Sequence, residues 1–514
     1  LYIIDCFAVD PRPLFDSLPD AVLIGHNLAF DLGFLTALGF EPRDVRCTML
    51  LSQLLHGTRR PKGFHTLRET AAREIGRTLD KEQQRSDWSG DLTHEQLDYA
   101  AADVAVLMPL YDALASKIET AGMSRVAEIE NRGLPAMVWL EQAGVPFDRT
   151  AWQALAEQAA QQAEELGQQL DEAAPPREGY LSKTGAWNWD STQQVHDVLQ
   201  RLGYNLESTD DDMLATVPHP IADLVRRRRS AKKRTGTYGK KWLHHVADDG
   251  RVYASFHQIG TDTGRMSCSD PNLQQIPNDT AYRRCFRASE GRVLVKADYS
   301  QIELRIACRI AAERNMRKAY ATGADLHRIT AQKMTGREEV TKEERAMAKP
   351  VNFGMIYGLS PDGLRRKAKS EYGIDLSAED AARFRNAFFA AWPDITRWHN
   401  DLRSANPSEV TTRAGRLLRL PEKRHFGMIA NYSVQGTGGD GVKAALGLLW
   451  ERRGECLGAR PVLVVHDEIV LECLQEHAET AADWLKRAMV DGMSPLIKPV
   501  PVEVEVKIAQ TWGG

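Results

Sequence analysis

The stretch Val293-Leu-Val-Lys-Ala-Asp298-Tyr-Ser-Gln-Ile-Glu303-Leu-Arg305 decides the reading of this chain. An apolar run ends in an aspartate and turns into a segment whose Ile302, Ile306 and Ile310 recur every fourth residue. That is a strand handing over to an amphipathic helix. A carboxylate at a strand's C-terminal end sits at the mouth of a site, where it can hold a metal. Alone, it is equally well an ordinary helix N-cap.

Two further stretches give it company. In Val462-Leu-Val-Val-His466-Asp467-Glu468-Ile-Val-Leu, two apolar runs are joined by His-Asp-Glu, which puts the acids at the tip of a β-hairpin. Adjacent acids there are ordinarily a polar turn. Beside Asp298 in one sheet, however, Asp467 makes a carboxylate pair able to bridge two Mg²⁺ ions, the clamp that phosphoryl transfer needs. In Arg345-Ala-Met-Ala-Lys349-Pro-Val-Asn-Phe353-Gly-Met-Ile-Tyr357-Gly, four residues spaced by fours form one stripe on a helix. Its cationic half suits a triphosphate and its aromatic half offers a face to a base. Spaced aromatics are more often core, but a core stripe does not lead with Arg and Lys.

Bulk properties bound the rest. At 514 residues and 57.5 kDa, two to four domains are expected. No apolar run approaches the ~20 residues of a membrane helix, and no signal-peptide pattern opens the chain. Leu1-Tyr-Ile-Ile reads as a strand under way, with the natural N-terminus expected upstream. The 7 cysteines are scattered and form no CxxC pair, which argues against a disulfide framework and structural zinc and for a reducing compartment, the cytoplasm. The net charge of −4 carries no hint of nucleic acid, but a cleft can be basic on an acidic body. The run Arg226-Arg227-Arg228-Arg229-Ser230-Ala231-Lys232-Lys233-Arg234 is, taken alone, evenly balanced between a solvated helix face and a phosphate-binding one.

Texture divides the chain in three. Residues 1–115 alternate short strands (Leu1–Cys6, Ala21–Gly25) with helical stretches. Residues 125–250 are mostly helical, interrupted by a polar break at 173–179. From about 251, the strand-like runs Val293–Lys296, Val462–Val465, Ile469–Cys473 and Val502–Ile508 flank a long helical insert.

The three decisive segments closely resemble motifs of family A DNA polymerases, the bacterial polymerase I and phage-like group: DYSQIELR, HDE and the fingers-helix pattern RxxxKxxxFxxxYG. Further segments match in order. Thr263-Gly-Arg265-Met-Ser-Cys-Ser-Asp-Pro-Asn272-Leu-Gln274 resembles TGRLSSxxPNLQ, Asp325-Leu-His327 a DxH element, and Asn431-Tyr-Ser-Val-Gln435-Gly-Thr437 an NxxxQGT element. The resemblance runs from about 125 to 514. It implies that Asp298 and Asp467 are metal-binding catalytic aspartates, with Glu468 a supporting acid. Arg345, Lys349 and His327 would contact the incoming triphosphate, and Phe353 and Tyr357 the nascent pair. Glu303 would be the steric gate beneath the sugar, held by a tyrosine such as Tyr357. Arg265, Asn272, Gln274, Asn431, Gln435 and His466 would line the duplex near the primer terminus. It also moves Lys232, Lys233 and Arg234 towards phosphate contact, as part of a thumb.

Two departures stand out. Pro350 follows Lys349 inside the fingers helix, which predicts a kink or a division there. Gly427 stands where several bacterial relatives carry an arginine, which predicts a weaker primer grip.

Near the N-terminus, Ile24-Gly-His26-Asn27-Leu-Ala-Phe-Asp31 and Tyr99-Ala-Ala-Ala-Asp103 resemble two motifs of DEDD-type 3′–5′ exonucleases. The spacing of four puts Tyr99 and Asp103 on one helix face, where Asp103 could bind metal and Tyr99 orient water. The Asp-x-Glu strand of that pattern is not supplied by Asp5-Cys6-Phe7. A domain cut upstream is the expectation, with little or no exonuclease activity.

The fold expected is multidomain, α/β and α+β. A truncated RNase H-like exonuclease domain (1–120) precedes a right hand of thumb (125–250), palm (251–310 and 431–514) and fingers (311–430). The activity expected is primer- and template-dependent DNA synthesis from dNTPs by a monomer, with two Mg²⁺ ions for which Mn²⁺ can substitute. One rival is a single-subunit RNA polymerase, which shares the palm aspartates but is disfavoured by Glu303. Another is a catalytically silent DNA-binding scaffold, disfavoured by the presence of both Asp298 and Asp467.

Overall fold

The computed structural model describes residues 2–6, 8–18, 20–177 and 187–514. Leu1, and Glu178 and Gly179 of the polar break, lie outside the described residues. The centre of the molecule is a four-stranded antiparallel sheet in the order Arg460–Val465, Glu468–Leu474, Arg292–Tyr299, Val504–Ala509. Its central strand is apolar because both of its faces are covered. Val293, Leu294, Val295 and Ala297 are all buried, and each of the first three contributes roughly 1.5–3 kcal/mol of transfer free energy. Alternation appears only at the strand's end, where Asp298 emerges into a cleft and Tyr299 stays in the core, its hydroxyl donating to the Met489 carbonyl at 2.7 Å.

Helices enclose this sheet. Ala478–Ile497 packs on one face. The long helix Phe426–Glu451 crosses beside it and packs on Ser124–Ala143, Ile302–Ala311 and Ala478–Ile497. That helix is rich in glycine because its neighbours come so close: a Cβ at Gly436 would lie 2.7 Å from the Thr263 carbonyl oxygen, and one at Gly441 2.2 Å from Met493. Ser124–Ala143 belongs to this packing, although it falls within the stretch expected as thumb. The long helices Arg149–Ala173 and Pro220–Thr237 form a hairpin, with Thr192–Arg201 and Asp211–Leu214 at its end, where Asp211–Leu214 meets Pro361–Tyr372. The helical insert spans Arg314–Ala405. Its helix Lys342–Ile356 runs through Pro350 without the division expected there. Loss of one N–H donor and a buried proline ring are tolerated inside a packed helix.

The N-terminal domain is small and α/β: two parallel strands, Val22–Gly25 and Asp44–Cys47, are surrounded by helices. The strand expected at Leu1–Cys6 is absent over its described part. Residues 2–5 join no ladder, and Tyr2, Ile3 and Ile4 are exposed. Apolar composition makes a strand only where an edge offers its backbone partners. All seven cysteine thiols are free, and no helix among the described residues is long and apolar enough to cross a membrane.

Candidate active site

Register brings the acids together. Asp298 lies opposite Glu468 on one side and opposite Glu505 on the other, so all three side chains share one face of the sheet. Asp467 occupies the hairpin turn between the paired residues Val465 and Glu468. The turn demands a left-handed residue, and His466 supplies it at φ +57°. Burial raises the Asp298 carboxyl well above its usual range, and the charges of Asp467, Glu468 and Glu505 raise it further. Burial raises Asp467 as well, against the pull of Arg265. Desolvation beside like charges is a condition that a divalent cation relieves.

Glu468 differs from its neighbours. Its Oε1 accepts from Trp512 Nε1 at 2.9 Å, and Arg283 lies 4.0 Å away, so it is tethered at the edge of the acidic face. Among the described residues no cluster of three or more His, Cys, Asp or Glu closes on one point. Two carboxylates suit Mg²⁺, which keeps waters and is completed by substrate phosphates rather than by an all-protein cage.

Glu303, in the first turn of helix Ile302–Ala311, is held from both sides. Oε1 accepts from Arg265 Nη2 at 3.0 Å and Oε2 from the Tyr357 hydroxyl at 2.6 Å. Tyr357 is therefore the tyrosine beside it, its own proton held firmly by burial and by the Glu303 charge. Arg345 is paired with Asp325, whose other oxygen caps helix Leu326–Thr335. Lys349 is exposed and forms no ion pair among the described residues. His327 is buried; Asn352 Nδ2 donates to its Nδ1 at 2.7 Å, and desolvation drives the imidazole down to about 4, so it is neutral with its proton on Nε2. Phe353 lies 6.0 Å from that ring, centroid to centroid.

Arg265, Gln274 and His466 line one small recess with Met266, Gly439 and Val442. Gln274 Nε2 donates to the Val464 carbonyl at 3.3 Å, and the Asn272 side chain caps its own short turn through Gln274 N. Asn431 and Gln435 share one face of helix Phe426–Glu451, both partly exposed. Gly427 opens that helix beneath Tyr357, where a Cβ would lie 3.1 Å from the Tyr357 carbonyl oxygen.

The basic run is less free than it reads in sequence. Arg226 pairs with Asp211, Arg227 with Asp223, and Arg228 and Lys232 with Asp190. Arg234 pairs with Asp279, which leaves Lys233 exposed without an ion pair among the described residues.

In the N-terminal domain Asn27, Asp31, Tyr99 and Asp103 do line one cleft, but a residue that carries no sequence signal joins them. Lys81 Nζ donates to both oxygens of Asp103, at 3.0 Å each, and to the Tyr99 hydroxyl at 2.9 Å. Against its desolvation, those bonds hold the ammonium above its usual pKa. Burial raises Asp31, which accepts no side-chain donor among the described residues. Lys81, Glu505, Asn352 and Trp512 are the residues that sequence reasoning missed. Each is a single unremarkable residue placed by the fold, and only register or tertiary contact reveals it.

Comparison with known proteins gives a consistent result. The profile described as DNA polymerase family A matches residues 152–514, and that described as 3′-5′ exonuclease matches residues 2–119. DNA polymerase I of Aquifex aeolicus is 34% identical over 545 residues, covering 99% of this chain and 91% of that protein. DNA polymerase I of Pseudomonas aeruginosa is 30% identical over 546 residues, covering 98% of this chain but 57% of that protein. Among solved structures, the POL domain of Pol1 from M. smegmatis, in complex with DNA primer-template and dNTP, superimposes with a TM-score of 0.80 at 24% identity, covering 99% of this chain and 90% of that one.

Proposed function

The chain belongs to DNA polymerase family A, and from that premise we propose that it extends a primer 3′-hydroxyl with dNTPs on a DNA template, in replication or repair. The observation that carries this reading is the sheet register that sets Asp298 among Asp467, Glu468 and Glu505, with Glu303 beside them. Asp298 and Asp467 would hold two Mg²⁺ ions, or Mn²⁺ in their place. Bound there, they supply the charge that lowers the 3′-hydroxyl pKa and neutralises the departing pyrophosphate.

The chain's own residues do the rest. Arg345 exchanges its exposed pairing with Asp325 for triphosphate oxygens, alongside Lys349. The neutral His327 is a hydrogen-bond donor through Nε2. Phe353 and Tyr357 pack on the nascent pair, while Glu303, fixed by Arg265 and Tyr357, fills the space a ribose 2′-hydroxyl needs. Arg265, Asn272, Gln274, Asn431, Gln435 and His466 hold the primer-terminal duplex. Donors there meet the acceptor that every pair offers in the minor groove, so grip need not depend on sequence. Lys233, with Lys232 and Arg234 once released from Asp190 and Asp279, meets backbone phosphates.

In the N-terminal domain, the Lys81 clamp on Asp103 supports weak or absent 3′–5′ exonuclease activity. We place the enzyme in the cytoplasm as a monomer, in keeping with its free thiols. The deciding assay is extension of a 3′-recessed primer with Mg²⁺ and either dNTPs or NTPs. Extension with dNTPs supports the proposal. Preference for NTPs makes the chain an RNA polymerase, and binding without extension makes it a scaffold.

A further inference from the structure

The N-terminal domain touches the rest of the molecule through contacts of different character. At the rear, Trp450 Nε1 donates to the Pro42 carbonyl at 3.1 Å, Arg453 Nη2 to Glu41 at 2.9 Å, and Gln142 Nε2 to the Gly33 carbonyl at 2.9 Å. These contacts involve none of the residues assigned to either cleft. At the front, the loop after helix Thr48–His56 turns at Gly57 (φ +74°) and presents two side chains to a single aspartate. Thr58 Oγ1 donates to Asp262 Oδ1 at 3.0 Å, Arg59 Nε donates to Asp262 Oδ2, and Arg59 Nη2 donates to the Tyr432 hydroxyl at 3.2 Å.

Asp262 stands in the tight turn that ends at Arg265. The Arg265 carbonyl accepts from Gly260 N at 3.1 Å and Thr261 N at 3.2 Å, and Gly264 N donates back to Thr261 O at 2.9 Å. From behind, the buried Lys443 ammonium donates to the Gly264 carbonyl at 2.9 Å. There is no slack at Gly264, where a Cβ would lie 2.5 Å from Arg416 Cδ. The turn is thus gripped on one side by the core and on the other by the N-terminal loop, and what it delivers is the Arg265 guanidinium, 3.0 Å from Glu303. Tyr432, the loop's second contact, sits next to Asn431 on the helix that also bears Gln435.

We infer that the N-terminal domain is a working part of the polymerase site: its Thr58–Arg59 loop positions Arg265 through Asp262, which makes Arg59 a positioning residue for primer extension. This rests on the polymerase reading above. Arg59 is 48% exposed, and an ion pair so exposed adds little to stability, so its contribution lies in placement. Placement matters because a misalignment of about 1 Å at a reacting centre can cost on the order of 100-fold in rate.

The test uses the full chain and single-nucleotide dNTP incorporation. Arg59→Ala and Asp262→Asn should each lower kcat about three- to tenfold, with the KM for primer-template within about twofold of wild type, since duplex grip comes from many phosphate contacts. Arg59→Lys should recover most of the loss. Arg60→Ala, the exposed neighbour whose guanidinium turns back to the His56 carbonyl, should behave as wild type. In an Arg265→Ala background, Arg59→Ala should have no further effect, an epistasis that mere support of the fold would not produce. A wild-type kcat for Arg59→Ala, or the same fold-loss with and without Arg265, overturns the inference. Failure of the unmodified chain to extend any primer overturns the polymerase reading instead.

Discussion

Two clefts in this molecule are lined by acids, and they treat Asp298 and Asp103 in opposite ways. In the central sheet, desolvation makes Asp298 and Asp467 hold their protons more tightly than usual, and Asp298 is crowded by like charges as well. In the N-terminal cleft, Asp103 has both oxygens bonded to the Lys81 ammonium, which also holds Tyr99. The first arrangement raises electrostatic free energy until a cation arrives; the second has already supplied the cation from within. Acids in the expected order identify a kind of site, but their counter-charges decide whether it is ready for metal.

The contrast is tested most severely by removing one acid from the sheet. Asp298→Asn or Asp467→Asn should reduce primer extension by about three orders of magnitude or more and leave primer-template affinity nearly unchanged. Single-turnover incorporation and an anisotropy titration check this; extension near the wild-type rate would remove the assignment.

A buried charge cluster gives the opposite kind of effect. Glu130, Arg416, Asp440 and Lys443 are all inaccessible, and Arg416 bonds both acids while Lys443 bonds Glu130. Lys443→Met leaves those acids with one cation between them and should cost roughly 3–5 kcal/mol by urea unfolding. A loss below about 1 kcal/mol would mean that the cluster relaxes or admits water.

Glu303→Ala should relax discrimination against rNTPs by roughly tenfold to a thousandfold, on the order of 1.4–4 kcal/mol, with some dNTP activity retained. The ratio of kcat/KM for matched dNTP and rNTP reads this directly. An unchanged ratio would make Glu303 only a bridge between Arg265 and Tyr357.

The smallest effect is in stability against pH. Carboxyls raised in the folded protein keep protons that the unfolded chain has released, so the metal-free protein loses stability as pH rises through the raised range. In EDTA, the wild type should therefore lose more in unfolding midpoint between about pH 5 and about pH 8 than Asp298→Asn does. Mg²⁺ at the upper pH should restore the wild type alone. Parallel curves for the two proteins would mean that the acids are not mutually strained.

Much of this was legible in the sequence, for identifiable reasons. The strand Arg292–Tyr299 and the hairpin bearing Asp467 follow from apolar runs ending in acids, and the Arg345–Tyr357 stripe from a spacing of four. The Glu303–Tyr357 bond was within reach because both residues belong to recognisable motifs. What stayed hidden was whatever depends on which strands pair or which distant charge arrives. Glu505 reaches Asp298 only through strand order, and Lys81 reaches Asp103 across 22 positions. The basic run at 226–234 misled in degree, because the acids that face it come from elsewhere in the chain. The opening Leu-Tyr-Ile-Ile misled in kind, since residues 2–5 have no ladder to join.

The central claim is that of two acid-lined clefts only the one in the sheet performs chemistry, and one gel tests it. A 5′-labelled primer annealed to a longer template is incubated with the chain and Mg²⁺, with and without dNTPs. The account predicts stepwise lengthening with dNTPs and an intact primer without them. Rapid shortening of the primer without dNTPs, or no lengthening when they are present, would contradict it.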